Sequence, residues 1–129
     1  MAERIAANPF ISGRGITMAF MRRGRVRLDM PWQDSNGDGL GGVHEGAALA
    51  LLDTAGAMCS WSMTGLGKFK ASTPSIQAQV LAPPPHSDLV AYGKIGHRDN
   101  EMFWNDIEVA DAATGRLFAR GTVLYRIFA

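Results

Sequence analysis

Residues 41–63 read GGVHEGAALALLDTAGAMCSWSM. From Glu45 onward the stretch is rich in Ala and Leu, is too long for an ordinary strand, and stops at the breakers Gly65 and Gly67, so it predicts one long helix. A surface helix shows a polar face at helical period. From Ala47 to Ser60, however, the ionisable side chains are Asp53 and the thiol of Cys59 alone, which predicts a helix buried nearly all round. Asp53 is then costly, because its neighbours three and four positions away are Leu49, Ala50, Gly56 and Ala57, and no Lys or Arg on the helix can pair with it. An ionised group buried without partners costs several kcal/mol. A chain keeps one there if it is paired from elsewhere, reaches water in a pocket, or does chemistry. The structural alternative is a carboxylate at an exposed rim, or one bonded to a hydroxyl such as that of Thr54.

The start of the same helix carries a second feature. Gly41, Gly42 and Gly46 flank His44 and Glu45 and let a ligand approach the backbone closely, while the first helical amides are unpaired and carry the positive end of the helix dipole. This is an anion site. A carbonyl oxygen placed there becomes an oxyanion held by those amides, about two helical turns from Asp53, and the combination is expected to serve acyl transfer.

Outside the helix the pattern changes period. Before it, ITMAFMRRGRVRLDMPW (16–32) mixes apolar and charged residues around Gly24 and predicts a β-hairpin. QDSNGDGLGG (33–42) has no core to bury and predicts a loop. After the helix, SIQAQVLAPPP from Ser75 alternates, with Ile76, Ala78 and Val80 on one face, until Pro83, Pro84 and Pro85 stop it. LVAYGKIG from Leu89, FWNDIEV from Phe103 and RLFARGTVLYRIF from Arg116 continue the alternation, with a turn at 112–115. In the last run Leu117, Ala119, Val123, Tyr125 and Ile127 share a face. Hairpin, helix, then four strands, with no repeat or linker, predicts a single α+β domain over 1–129 whose antiparallel sheet packs on one helix.

Composition sets the class. The 129 residues are 47% hydrophobic and 19% charged, as expected of a packed domain. The formal net charge of +1 argues against nucleic acid as a partner. Cys59 is the single cysteine, so no internal disulfide forms, and its apolar neighbours predict a buried thiol in a reducing compartment. MAERIAANPF has no signal-peptide core and no run approaches a membrane span, so a cytoplasmic location is expected. Arg22, Arg23, Arg25 and Arg27 cluster, whereas Pro31 to Gly67 contains no Lys or Arg. The cluster reads as the outer face of a hairpin, or as a surface that attracts the phosphates of an anionic ligand.

GGVHEGAALALLDTAGA (41–57) resembles the signature of hot-dog thioesterases of the phenylacetate-degradation type: His-Gly-Gly, a short run of small or apolar residues, then Leu-x-Asp, with His44, Leu51 and Asp53 in the matching places. STPSIQAQVLAPP (72–84) and TGRLFARGTVLYRI (114–127) extend the likeness over nearly the whole chain in family order. The resemblance implies a sheet wrapped around the helix, subunits paired edge to edge as a homodimer or homotetramer, and an active site between them. It implies an acyl-CoA substrate hydrolysed to a free acid and CoA, no metal or bound organic cofactor, and Asp53 as general base or nucleophile. The amides of Glu45 and Gly46 then resemble the oxyanion donors, and Thr73 falls where a hydroxyl assists the carboxylate or the attacking water. His44 takes a structural or a substrate-binding place. Two positions depart from the pattern. Glu45 replaces the first Gly of the pair, keeping the amide but adding a side chain, and Asp38 stands six residues before His44, where relatives carry a substrate-positioning Asn or Gln. An ionised Asp cannot donate.

Other readings compete. DSNGDGLGGVHE (34–45) meets the calcium-loop pattern with Asp34, Asn36, Asp38, Gly39 and Glu45, yet RVRLDMPW before it alternates like a strand, and Gly41 stands where such loops carry an apolar residue. A hydratase or dehydratase of the same fold would pair a His with an acid, and a binder that does not turn over would have the same pocket. Met58, Trp61, Met63 and Phe69 are expected to be plain core or to line an apolar tunnel.

Overall fold

The computed structural model describes residues 2–65, 67 and 69–128. The predicted hairpin is strand β1, Thr17–Arg22, and strand β2, Arg25–Met30. Gly24 turns between them at φ 78°, in the left-handed region that glycine adopts without strain. After a single 3₁₀ turn at Asp34–Asn36 comes the long helix, Glu45–Thr64. Strands β3 (Lys70–Val80), β4 (Leu89–Asp99), β5 (Met102–Asp111) and β6 (Leu117–Phe128) follow. All six form one antiparallel sheet in the order β1-β2-β4-β5-β6-β3.

The alternation in the strands decides which side chains meet the helix. Val26 and Leu28 of β2, Ala91 of β4, Phe103, Ile107 and Val109 of β5, and Ala119 and Val123 of β6 are buried, as are Leu51, Leu52, Ala55 and Cys59 of the helix. Helix and sheet approach unusually closely at Gly56, where an added Cβ would lie 2.5 Å from Cβ of Val123. A polar clasp lies next to that contact. Nδ2 of the fully buried Asn105 on β5 donates to Ser60 Oγ of the helix at 2.8 Å and to the Val123 carbonyl at 3.1 Å.

Three features differ from the sequence expectation. Residues 2–13, for which no element was expected, form two short helices, α1 (Ala2–Ala7) and α2 (Pro9–Gly13), so the long helix is α3. Asn8 caps α2 by accepting from the amides of Phe10 and Ile11, ahead of Pro9 in the first turn. β3 begins at Lys70, five residues before the expected start, and Ile76 and Val80 are 40% and 38% exposed. The cause is its edge position: β3 pairs with β6 on one side and with nothing on the other among the described residues. Phe118 and Ala119 are both buried because the β5–β6 register shifts between Val109 and Ala110. Among the described residues no helix is long and apolar enough to cross a membrane.

Candidate active site

Asp53 lies nine residues into α3, half-buried, on the side turned from the centre of the sheet. Thr73 of β3 donates its hydroxyl to Asp53 Oδ1 at 2.9 Å. β3 can present that hydroxyl because its pairing with β6 is irregular between Ser72 and Ser75, around Pro74, a residue sheets accept at edges and bulges. Burial pushes the Asp53 carboxyl above the ordinary aspartate range, against a smaller downward pull from the Thr73 bond. The carboxylate opens into a cleft of about 770 Å³. One wall is α3 itself, through Thr54, Ala57, Met58 and Trp61. The others come from Phe69 to Thr73, from Tyr125 and Phe128 of β6, and from Ile5, Asn8 and Ile11 of the N-terminal helices.

Of the four residues expected to be core or tunnel, Met58, Trp61 and Phe69 border this cleft, whereas Met63 packs against the core. Ile5, Asn8 and Ile11 were invisible in the sequence, since two helices of six and five residues carry no periodicity worth reading.

The N-terminus of α3 is a separate construction. His44 is the N-cap residue, and its Nδ1 accepts from the Gly46 amide at 2.8 Å. Its own amide donates to the Asn36 carbonyl at 2.8 Å. Asn36 is fully buried and donates through Nδ2 to the carbonyls of Arg14 and Pro31. Asp38 turns back on its own loop, accepting from the amides of Leu40 at 2.6 Å and Gly42 at 3.2 Å. These bonds, that of Leu40 first, hold its carboxyl below the ordinary range. A second loop braces the first: the Val43 amide donates to the Pro85 carbonyl, and a Cβ on Gly42 would lie 2.6 Å from the Pro84 oxygen. His86 stacks on Trp32 with ring centroids 3.9 Å apart, and its Nδ1–H donates to the Gly41 carbonyl.

The structure therefore brings Asp53 and Thr73 together, and it keeps Asp38, His44, Glu45 and Gly46 apart from them. Glu45 and Asp53 are eight residues apart, about 12 Å at 1.5 Å per residue, and the helix start does not border the Asp53 cleft. The two groups therefore lie about two helical turns apart within one chain, as the sequence spacing predicts. The Gly46 amide is also engaged by His44, while the exposed Glu45 has no acceptor for its amide among the described residues.

The remaining candidates resolve locally. Asp34, Asn36, Asp38 and Glu45 do not converge: Asn36 Oδ1 takes a bond from Arg14, Asp38 caps its own turn, and a strand precedes the loop. Arg23 donates to the Met63 carbonyl near the end of α3, and Arg27 pairs with Asp29 at 2.9 Å. Cys59 is fully buried and its thiol is pushed up to about 12 by burial, which removes it as a nucleophile.

No protein-family model matches the chain, and no curated protein matches it in sequence. Solved structures do match it. A thioesterase from Haemophilus influenzae superposes with a TM-score of 0.86 at 17% identity, covering 99% of this chain and 90% of its own. A thioesterase family protein from Silicibacter pomeroyi gives 0.88 at 18% identity, covering 98% and 93%. A mutant thioesterase from Pseudomonas aeruginosa gives 0.87 at 16% identity, covering 99% and 94%. The chain has the hot-dog fold of these thioesterase-superfamily structures, an antiparallel sheet around one long helix.

Proposed function

We propose that this chain is an acyl-CoA thioesterase that works as a homodimer or homotetramer, with Asp53 as its catalytic carboxylate. The observation that carries the reading is Asp53 itself: a carboxylate on an otherwise apolar helix, raised above the ordinary range by burial, oriented by Thr73 and open to a cleft. A base whose proton affinity is lifted toward neutrality accepts a proton from water more readily. Water gives that proton to Asp53 and its oxygen attacks the thioester carbonyl. The carbonyl oxygen takes the negative charge, the C–S bond breaks, and the proton passes from Asp53 to the departing thiolate. If Asp53 attacks directly, an anhydride forms first and water then cleaves it.

The developing oxyanion needs donors about 3 Å away, and the α3 amides of the same chain lie about 12 Å along the helix from Asp53. A two-fold pairing of two copies removes the conflict, because antiparallel α3 helices bring the Glu45 and Gly46 amides of one copy toward Asp53 of the other. Two features favour such a pairing: the unpaired edge of β3, with Ile76 and Val80 exposed, and the open side of α3 at Gly46, Leu49, Ala50, Asp53 and Ala57. The Glu45 amide, with no acceptor among the described residues, is the donor free for the carbonyl oxygen, while the Gly46 amide is held by His44 Nδ1. Asp38 serves by shaping the loop, since its carboxylate is spent on Leu40 and Gly42. Neither His86, stacked on Trp32, nor His97, tilted against Trp104, borders the cleft, which leaves a hydratase of the same fold His44 of the second copy as its histidine.

The test is free-thiol release from a panel of acyl-CoAs by wild type and Asp53→Asn. The amide keeps shape and volume, so folding by circular dichroism is retained while kcat falls on the order of a hundred- to ten-thousand-fold. Near wild-type kcat in the folded variant would refute the mechanism. Binding without release by wild type would leave a non-catalytic acyl-CoA binder.

A further inference from the structure

The start of α3 has an anchor that takes no part in the chemistry. We propose that Asn36 is a positioning residue for the candidate oxyanion donor: it fixes where the Glu45 amide stands, with Arg14 as its brace. The proposal rests on the thioesterase reading and adds to that site two residues that do not meet substrate.

The direction of the Glu45 amide follows from the peptide that carries it. A trans peptide points its carbonyl and its N–H opposite ways, and the His44 carbonyl accepts from the amides of Ala47 at 3.0 Å and Ala48 at 3.2 Å. The Glu45 N–H therefore points out of the helix start. Its place in the molecule is set one residue earlier, where the His44 amide donates to the Asn36 carbonyl at 2.8 Å. Asn36 in turn is tied to two other segments. Its Nδ2 donates to the carbonyl of Arg14, at the end of α2, at 2.8 Å and to that of Pro31, just after β2, at 3.2 Å. Its Oδ1 accepts from Arg14 Nη1 at 3.0 Å, and the same nitrogen donates to the Ser35 carbonyl. Every side-chain hydrogen bond of Arg14 among the described residues thus goes to this loop, and its Nε is buried without an acceptor. Because Asn36 is fully buried, water does not stand in for a lost partner, and a substitution there shifts the loop that carries His44 and Glu45.

The experiment compares Asn36→Ala, Asn36→Asp and Arg14→Met with Asn105→Ala, which removes a second fully buried asparagine whose amide bonds Ser60, Phe103 and Val123, toward the other end of α3. Asn36→Asp keeps the volume and the Arg14 bond but sets a carboxylate oxygen, which cannot donate, against the Arg14 and Pro31 carbonyls. Circular dichroism and melting temperature rank the variants by stability, acyl-CoA turnover gives kcat and KM, and amide NMR follows the Glu45 and Gly46 cross-peaks. A displaced oxyanion donor is missed in the transition state more than in the bound substrate. Both Asn36 variants are therefore expected to lose kcat on the order of tenfold to a hundredfold, with KM within about twofold of wild type. Arg14→Met should follow in the same direction by a smaller factor. Asn105→Ala should lower the melting temperature comparably and leave kcat and both cross-peaks in place. Wild-type kcat in folded Asn36→Asp or Arg14→Met, a change confined to KM, or kcat loss that tracks melting temperature across all four variants overturns the inference. Should wild type release thiol from no acyl-CoA, the thioesterase reading fails, and the positioning of the helix start is decided by the Glu45 cross-peak: movement in the Asn36 variants and not in Asn105→Ala upholds it, and no movement overturns it.

Discussion

Asp53 shows how a single residue can be legible before any fold is known. Its surroundings on the helix contain no cation, so the cost of burying it is visible in composition alone, and the structure places it in a cleft with one hydroxyl partner. That partner was not readable from the residues. Thr73 is twenty positions away in sequence, and only the family resemblance pointed to it. The raised carboxyl also predicts a pH signature. A folded-state value above the unfolded one means that the stability the protein has when Asp53 is protonated, below the ordinary aspartate value, is lost as pH rises through the raised value. Asp53→Asn should therefore melt a few degrees above wild type at neutral pH, with the difference closing as the solution is acidified. Thermal scans at several pH values would decide it; a lower melting temperature for the variant throughout would mean that the ionised carboxylate is stabilised by groups other than Thr73.

Elements were readable in proportion to their length and regularity. α3 runs from Glu45 to Thr64, within a residue of its expected end, because a long apolar run between glycines has few other solutions. β5 followed its alternation, whereas β4 buries Leu89, Val90 and Ala91 in succession and β6 buries Phe118 beside Ala119. α1 and α2 did not show, since helices this short are held by contacts made only after the sheet exists. β3 was readable as a strand but not as an edge, because period two reports facing and not pairing. Gly56 gives a test at this scale. Helix propensity alone says that Gly→Ala inside α3 stabilises by about 1 kcal/mol. The 2.5 Å approach to Val123 says the reverse, because overpacking a dense core costs about 1–3 kcal/mol. Gly56→Ala should lower the urea midpoint. A higher midpoint would show that α3 can lift from β6 without loss.

At the scale of the whole molecule the open question is what lies against β3. An edge strand of eleven residues with exposed Ile76 and Val80 is the kind that sequences usually blunt, and Pro74 does so only near its start. In the proposed pairing residues 75–80 meet a second copy. Replacing both Ile76 and Val80 by Lys should halve the mass seen in light scattering, and turnover should fall steeply on dilution. A double variant that is monomeric and fully active would end the shared-site reading, because one chain would then supply both carboxylate and oxyanion donors.

The sheet order carries a consequence for biosynthesis. β3 leaves the ribosome directly after α3, yet its sole sheet neighbour among the described residues is β6, the last strand in the sequence, with Lys70 opposite Phe128 and Val80 opposite Ala119. A nascent chain that has released α3 and β3 holds Asp53 and Thr73 already, but nothing yet fixes one against the other. β4 and β5 must first zip onto the hairpin, and β6 onto them, before β3 has a place to dock; such distant pairing is slow to form. The carboxylate on which hydrolysis would depend is therefore without its hydroxyl partner until β6 has been made, and a chain stalled before Leu117 carries every residue of the candidate pair and no site.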